Sequence, residues 1–412
     1  MSTPLRVLLV AYKIRRSTGS EDGSGYHIAS ELIRRGTQVT LVTRTNNVPP
    51  LRNDPAFEGA ELIGIDVPRP LGSFKRGGRG IVLYYYLWQL TVGRTVRKLV
   101  RNRRFDVLHQ LNFHTDWAPH FLWGNGVPVV WGPIAHHRRA PSNFFVESDR
   151  LGRAKEGARF AVKQAFWHLD PFLRRAARET RAVLYANDDV APPFASAVPQ
   201  PRLRPYAGSF SSGDPSPTDR ASDLFLVLFV GRFVALKGLL PAVEGFAAFA
   251  HSVDSTARFE LRVVGAGAQE DAARRLASEL GVNTHVRFEP WLPQDALRAR
   301  YDWASVFLYP SVEAQGLVVA EALAAGLPTI TLAGTGPSVL AGTTGWQVAS
   351  DDVDEGLRRA LLQAYDEWRD GSLERRRKDA RQRYLEVLDW PRIADDIQAV
   401  YREVMAGDAD VL

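Results

Sequence analysis

Apolar residues along the chain fall into short unbroken runs. In the first half these occupy residues 5–11, 37–42, 105–109, 128–131 and 181–186. In the second half they occupy 224–230, 259–264, 286–288, 306–309 and 329–332. Each run is continuous rather than alternating, which predicts strands covered on both faces, as in a parallel sheet. Between the runs lie segments of helical character at residues 26–35, 81–102, 154–180 (interrupted by Pro171), 268–280, 316–326, 355–368 and 392–405. Gly36 closes the first of these, and Gly326-Leu327-Pro328 closes the stretch that Gly316 opens. Strand, glycine loop, helix, strand is the opening of a Rossmann-like domain, and it occurs in both halves. Residues 209–223, rich in Ser, Pro, Gly and Asp, have the composition of a linker. The expected division is an N-terminal domain over 1–205 and a C-terminal one over 206–390.

Open α/β sheets bind ligands beyond the carboxyl ends of their strands, so the chemistry is sought there. Gly231-Arg232 and Lys237-Gly238 follow the 224–230 run. Two cations beyond a strand end suit a pyrophosphate, although one Arg and one Lys are also ordinary loop charges. Glu313, Gln315, Gly316 and Leu317 follow the 306–309 run, and Glu321 lies about a turn and a half into the next helix. That helix is apolar nearly all round, the pattern of a buried helix. A buried carboxylate there needs a donor, since leaving it unpaired costs several kcal/mol. The helix start offers free N–H groups to an anion. Carboxylate, anion-binding helix start and carboxylate together suit a polyhydroxylated phosphate ester. The plain alternative is a surface loop glutamate and a helix glutamate paired with a nearby arginine.

Other strand ends carry further candidates. The 19–25 loop, ending at Gly25, is either a phosphate-facing loop or a surface turn; its glycines are not spaced as a dinucleotide fingerprint. His109 and His114 sit where a ligand would lie, and a packed or capping histidine explains each at least as well. Gly265, after the next run, and Arg287, on the one following, are further binding candidates, although a lone Gly-x-Gly is weak evidence. Asp352-Val-Asp354 precedes a helix, where acids favour the positive dipole end, so it is read as structural and no metal site is assigned.

Glu313, seven residues, Glu321 and then Ala-Leu-Ala-Ala-Gly-Leu-Pro through Pro328 resemble the signature of glycosyltransferase family 4. The Gly231-Arg232 and Lys237-Gly238 pair resembles that family's diphosphate clamp. The resemblance implies the GT-B fold of the glycogen-synthase-like clan: two Rossmann-like domains facing across a cleft, with residues 391–412 as a helix returning to the first domain. It implies a retaining hexosyltransferase that takes a UDP- or GDP-sugar donor and a hydroxyl acceptor, without metal or cofactor. Glu313 would face the donor sugar and Glu321 the ribose; the leaving phosphate would take the acceptor proton. The chain departs from the pattern at Gln315, where an aromatic is frequent, at Leu111 in place of a second histidine, at Pro290-Trp291 and at Ser338. A sugar-nucleotide epimerase of the same fold, using the histidines, and a non-catalytic sugar-nucleotide binding protein are the competing classes.

Composition adds three constraints. With 412 residues the chain is long enough for two cores, and with no cysteine it has no disulfide or thiolate metal site. No apolar run has transmembrane length and no basic region precedes the run at 7–11, so a cytoplasmic location is expected. The net charge of +6 is uneven: residues 69–104 hold ten Lys or Arg and no acid, beside Tyr84, Tyr85, Tyr86 and Trp88. That segment is either a solvated face or a contact for an anionic membrane surface or an anionic, lipid-linked acceptor. No nucleic-acid motif accompanies it, so nucleic acid is not expected as a partner. No apolar insertion face is legible beside the charges.

Overall fold

The computed structural model describes residues 4–16, 21–69, 71–72, 80–113, 115–135, 139–145, 149–186, 201–203, 208–209 and 223–409. Most of the 209–223 linker and His114 therefore lie outside the described residues. Seven strands form the first sheet: β1 (Arg6–Ala11), β2 (Gln38–Thr43), β3 (Glu61–Gly64), β4 (Val107–Asn112), β5 (Val129–Ile134), β6 (Ala182–Tyr185) and β7 (Pro201–Leu203). Their order across the sheet is 3-2-1-4-5-6-7. Six form the second: β8 (Phe225–Val230), β9 (Phe259–Val264), β10 (Val286–Glu289), β11 (Val306–Tyr309), β12 (Thr329–Leu332) and β13 (Trp346–Val348). Their order, 10-9-8-11-12-13, repeats the first pattern.

Every pairing is parallel, so the unbroken apolar runs are explained by helices on both faces. In each sheet the strand order reverses beside the first strand, and the crevice at that reversal is the place for a ligand. The two sheets make this a two-domain Rossmann-like GT-B fold.

The first sheet is not covered by its own half alone. The last helix, Trp390–Ala409, returns to it and lies beside the first helix, Glu21–Arg34. Ile393, Ile397, Val400, Tyr401 and Val404 repeat at helical spacing and join one core with Val7, Leu9, Leu32, Leu41 and Leu111. Polar contacts pin the seat: Arg35 donates to Asp395 at 2.6 Å and to Pro391 O at 2.7 Å, and Gln398 donates to Thr37 Oγ1 at 2.9 Å. Other contacts join the halves elsewhere. Phe144 is fully buried in the second core, with its carbonyl accepting from Gln269 Nε2 at 2.8 Å. Ala314, in the loop after β11, packs on Ala135 and Ala186 beyond β5 and β6.

Two expectations are corrected by the packing. The first helix begins at Glu21 rather than near residue 26, with Glu21 and Asp22 at its positive end. Gly25 therefore lies inside the helix, where its N–H bonds along the helix and is not free for a phosphate. Its lack of a side chain serves packing: a Cβ there would stand 2.7 Å from Asn112 Nδ2. His109 is fully buried in β4 and faces no ligand. Its Nε2 lies 2.6 Å from Gly132 O and its Nδ1 2.5 Å from Tyr401 OH. A carbonyl only accepts, so Nε2 carries the proton and Nδ1 accepts from the tyrosine of the returning helix.

Burial lowers His109 to about 4, and lowers His120, enclosed beside Thr180, to about 3. Both folded values lie below the ordinary 6.5, so the unfolded chain binds more protons in acid and stability falls as pH falls. Thermal unfolding should show stability held above pH 6.5 and lost towards pH 4, at about 1.4 kcal/mol per pH unit for each fully titrating histidine. His109→Gln, which keeps a donor and an acceptor but does not titrate, should make this slope shallower; an unchanged slope would exclude His109 as a source.

Candidate functional site

The loops after β8 and β11 are stitched together before any functional side chain is placed. After β8 the chain passes Gly231 and Arg232 into a single turn, Ala235–Lys237. Gly238 ends that turn at φ +72°, and a Cβ there would stand 2.2 Å from Pro310 O in the second loop. Only glycine tolerates both the left-handed backbone and this approach. Ser311 Oγ donates to Leu236 O at 2.8 Å and Val312 N donates to the same oxygen at 3.1 Å. Ser311 Oγ in turn accepts from Glu313 N at 3.2 Å.

Lys237 and Glu313 are brought into an ion pair by that stitching. Tyr309, the last residue of β11, donates its hydroxyl to Glu313 Oε1 at 2.5 Å, and Lys237 Nζ lies 5.5 Å from the Tyr309 ring centroid. Burial first, and then the Glu313 charge, push the Tyr309 hydroxyl far above its ordinary range, so it stays a proton donor. The side chains of Lys237 and Glu313 are 15% and 16% exposed, so this is not a solvent-screened surface pair. Arg232, in the same loop, is exposed and has no hydrogen bond or ion pair from its side chain among the described residues.

Glu321 has different surroundings. It accepts from Tyr301 OH at 3.0 Å and from Gln294 Nε2 at 3.4 Å, and among the described residues no arginine pairs with it. Burial raises its carboxyl above the usual range, and the two donors pull the other way. The Tyr301 hydroxyl is held well above its ordinary value by burial and then by Glu321. Partnered only by neutral groups, Glu321 retains acceptor capacity for ligand hydroxyls.

The helix Leu317–Ala324 starts between these two glutamates. Its first N–H groups, from Leu317 onward, have no carbonyl within the helix. Leu317 packs against the cores of both halves, which puts the helix start in the cleft. Behind it the loop after β12 is fixed by a reciprocal cap between Thr335 and Ser338. A Cβ at Gly336 would stand 2.1 Å from Ala314 O, and one at Gly316 3.1 Å from Pro337. Gln315, half-buried, lies between Ala314 and this helix start. Gly265 closes the third loop: a Cβ there would stand 1.9 Å from Gly231 O.

The structure thus gathers Gly231, Arg232, Lys237, Gly265, Glu313, Gln315, Gly316, Leu317 and Glu321 at one end of the second sheet. It does not bring Arg287 there. Arg287 is exposed on β10, the edge strand, with β9 between it and β8. His109 is withheld by its interior bonds, Gly25 by its helix, and His114 lies outside the described residues. Sequence reasoning missed Tyr309, Tyr301 and Gln294. Tyr309 could have been suspected as the polar-tipped end of an apolar run, four residues before Glu313. Tyr301 and Gln294 sit on another helix, Gln294–Trp303, and have no local signal.

Comparison with known proteins extends this. Residues 225–367 match the family model described as Glycosyl transferases group 1, and residues 25–205 match Glycosyl transferase 4-like domain. The chain is 31% identical over 281 residues to GDP-mannose-dependent alpha-(1-6)-phosphatidylinositol monomannoside mannosyltransferase of Mycolicibacterium smegmatis, covering 62% of this chain and 68% of that protein. It is 29% identical over 417 residues to D-inositol 3-phosphate glycosyltransferase of Thermomonospora curvata, covering 93% and 91%. Against D-inositol 3-phosphate glycosyltransferase 1 of Catenulispora acidiphila the match, 30% identical, spans 45% of this chain and 46% of that protein. In fold it is similar to a glycosyltransferase of Rickettsia africae, with a TM-score of 0.65 at 13% identity over 98% of this chain and 99% of the other.

Gly238→Ala should lower stability by about 1–3 kcal/mol or more, from the left-handed backbone with the Pro310 clash added, and should part Lys237 from Glu313. Thermal unfolding checks this, and a parent-like Tm would show that the two loops are not locked at Gly238.

Proposed function

Since the chain belongs to glycosyltransferase family 4, we propose that it moves a hexose with retention from a UDP- or GDP-sugar to the hydroxyl of an acceptor held on the first domain. The observation that carries this is the exposed, unpaired Arg232 in one loop with the Lys237–Glu313 pair, at the cleft end of the second sheet. A cation with no protein partner beside a partly desolvated ion pair is suited to an anionic ligand.

The donor diphosphate lies against Arg232, Lys237 and the N–H groups heading Leu317–Ala324, which stabilise charge as the leaving group departs; such stabilisation is commonly the largest catalytic contribution. Glu313, fixed by Tyr309 and Lys237, accepts from the donor sugar's hydroxyls. Glu321 takes ribose hydroxyls in place of its long bond from Gln294. The bond from the sugar C1 to phosphate oxygen breaks, the acceptor oxygen bonds C1 on the same face, and the acceptor proton passes to the departing phosphate. A sugar-nucleotide epimerase of this fold would need a free acid/base pair, and His109 is unavailable for it.

The acceptor is assigned to the anionic or lipid-linked class. Two relatives are named for inositol phosphate or phosphatidylinositol monomannoside acceptors, and the cationic 69–104 segment lies in the first domain. A peripheral contact of that segment with an anionic membrane surface belongs to the same reading.

A panel of UDP- and GDP-sugars tests the donor: a ligand at 100 times its Kd should add about 2.7 kcal/mol of stability. Glu313→Gln should abolish most transfer with little change in nucleotide affinity, whereas Glu321→Ala should weaken nucleotide binding itself. Arg232→Ala and Lys237→Ala should each reduce turnover by roughly 10² or more, and transfer should persist in EDTA. Parent-like turnover and binding in both glutamate variants would end this assignment, and a strict requirement for Mg²⁺ or Mn²⁺ would overturn the charge-neutralising role of the two cations.

A further inference from the structure

The helix Arg150–Leu169 is apolar on two sides, a pattern that ordinarily marks a helix buried on both. Its inner side is used. Trp167 Nε1 donates to Asp116 O at 3.1 Å, Phe166 packs on Trp117 and Tyr86, and Lys163 is 4% exposed. Its outer side runs Leu151, Ala154, Ala158, Ala161, Val162, Ala165 and Leu169, all exposed. Leu151 is 65% and Leu169 77% exposed, and Phe172, on the next helix, is also exposed. Aromatic packing on the inner side prevents the helix from rolling to bury this stripe.

The helix Ile81–Asn102 adjoins the C-terminal end of this one. Tyr86 OH donates to Asp170 at 3.0 Å, and Phe121 packs against both Tyr86 and Phe172. One turn before Tyr86, Val82 and Leu83 are exposed, and further along the same solvent side come Arg94, Arg97, Lys98 and Arg101. Those four, with Arg104, have no acidic partner among the described residues; Arg103 pairs with Glu61. Lys155 and Arg178 add cations without an acidic partner among the described residues, whereas Glu156 and Glu179 are taken by Arg159 and Arg175.

We infer that this face, formed by Leu151, Val162, Leu169, Phe172, Val82 and Leu83 within a cationic rim, is the surface by which the protein seats on an anionic lipid bilayer. It deepens the membrane contact proposed above and rests on that reading, while its test is separable from donor binding. An apolar stripe with a basic border is the arrangement of an element lying in the interface. A second copy of the chain fits less well: a two-fold contact buries the same patch from both sides, and neither supplies acids for the other's cations. Among the described residues no helix is long and apolar enough to cross a membrane, so this is a seat and not a span.

The test uses the full chain with neutral phosphatidylcholine vesicles and vesicles containing phosphatidylglycerol. The parent should bind the anionic vesicles and keep part of that binding at high salt, because apolar insertion is not screened. Joint replacement Leu151→Ser, Val162→Ser, Leu169→Ser and Phe172→Ser should weaken binding by about tenfold or more and leave only salt-releasable attachment. Arg97→Gln, Lys98→Gln, Arg101→Gln and Arg104→Gln should remove the preference for anionic lipid. Ala158→Glu with Ala165→Glu, two helix-compatible changes, should abolish anionic binding should the serine variant not fold. Parent-like binding by a folded serine or glutamate variant overturns the proposal. So does a parent dimer that the serine variant loses, with no vesicle binding by either. Donor binding by nucleotide thermal shift should be unchanged in all of these variants, so failure of the membrane seat is distinguishable from failure of the donor site.

Discussion

The structure depends on one docking event, the seating of the last helix on the first sheet. A parallel sheet must be covered on both faces, because each of its strands is apolar on both. The first half supplies the helix Glu21–Arg34 for one face, and the space beside it is filled by Trp390–Ala409 from the far end of the chain. The hydrogen bond between His109 and Tyr401 is the polar mark of that seat: buried, neutral and geometrically specific. Because this helix ties the end of the second half to the first sheet, and Leu317 packs on the cores of both halves, the two sheets are held about one cleft.

Within the cleft, the candidate site rests on short loops made rigid by backbone contact. Gly238 against Pro310, Gly265 against Gly231 and Gly336 against Ala314 leave no room for side chains and no freedom to drift. Lys237 and Glu313 therefore meet as a preorganised pair that need not be assembled by substrate, while Arg232 is left available. Preorganised charge is effective because little reorganisation accompanies the reaction. The two glutamates differ for a physical reason: one is neutralised by a lysine, the other is solvated only by a tyrosine and a glutamine. The roles proposed for them follow this difference: the charged partner goes with the glutamate proposed to face the sugar, the neutral partners with the one proposed to take hydroxyls.

The first domain complements this with a different kind of surface. Its cations and exposed apolar residues lie on helices far apart in sequence, and Tyr86 with Asp170 joins them. A transferase whose acceptor is anchored in a lipid surface benefits from sitting on that surface, since the search for acceptor is then confined to two dimensions.

By itself the sequence determined the local and repetitive features. Unbroken apolar runs specified parallel strands, because a strand covered on both faces cannot alternate. The placement of Arg232, Lys237, Glu313 and Glu321 just beyond strand ends was legible in the pattern, and the resemblance to the glycosyltransferase family 4 signature, not the spacing, singled them out as a set. Tertiary structure decided whatever depends on partners remote in sequence. It took His109 out of the site by giving both its nitrogens interior bonds, and drew Gly25 into a helix whose start the local pattern did not mark. It set Arg287 on an edge strand, and it supplied Tyr301 and Gln294 to Glu321 from a separate helix. It also chose which side of Arg150–Leu169 meets solvent. With apolar residues on both sides, periodicity alone offers no preference, and only the packing of Phe166 and Trp167 against Trp117 and Asp116 breaks the tie.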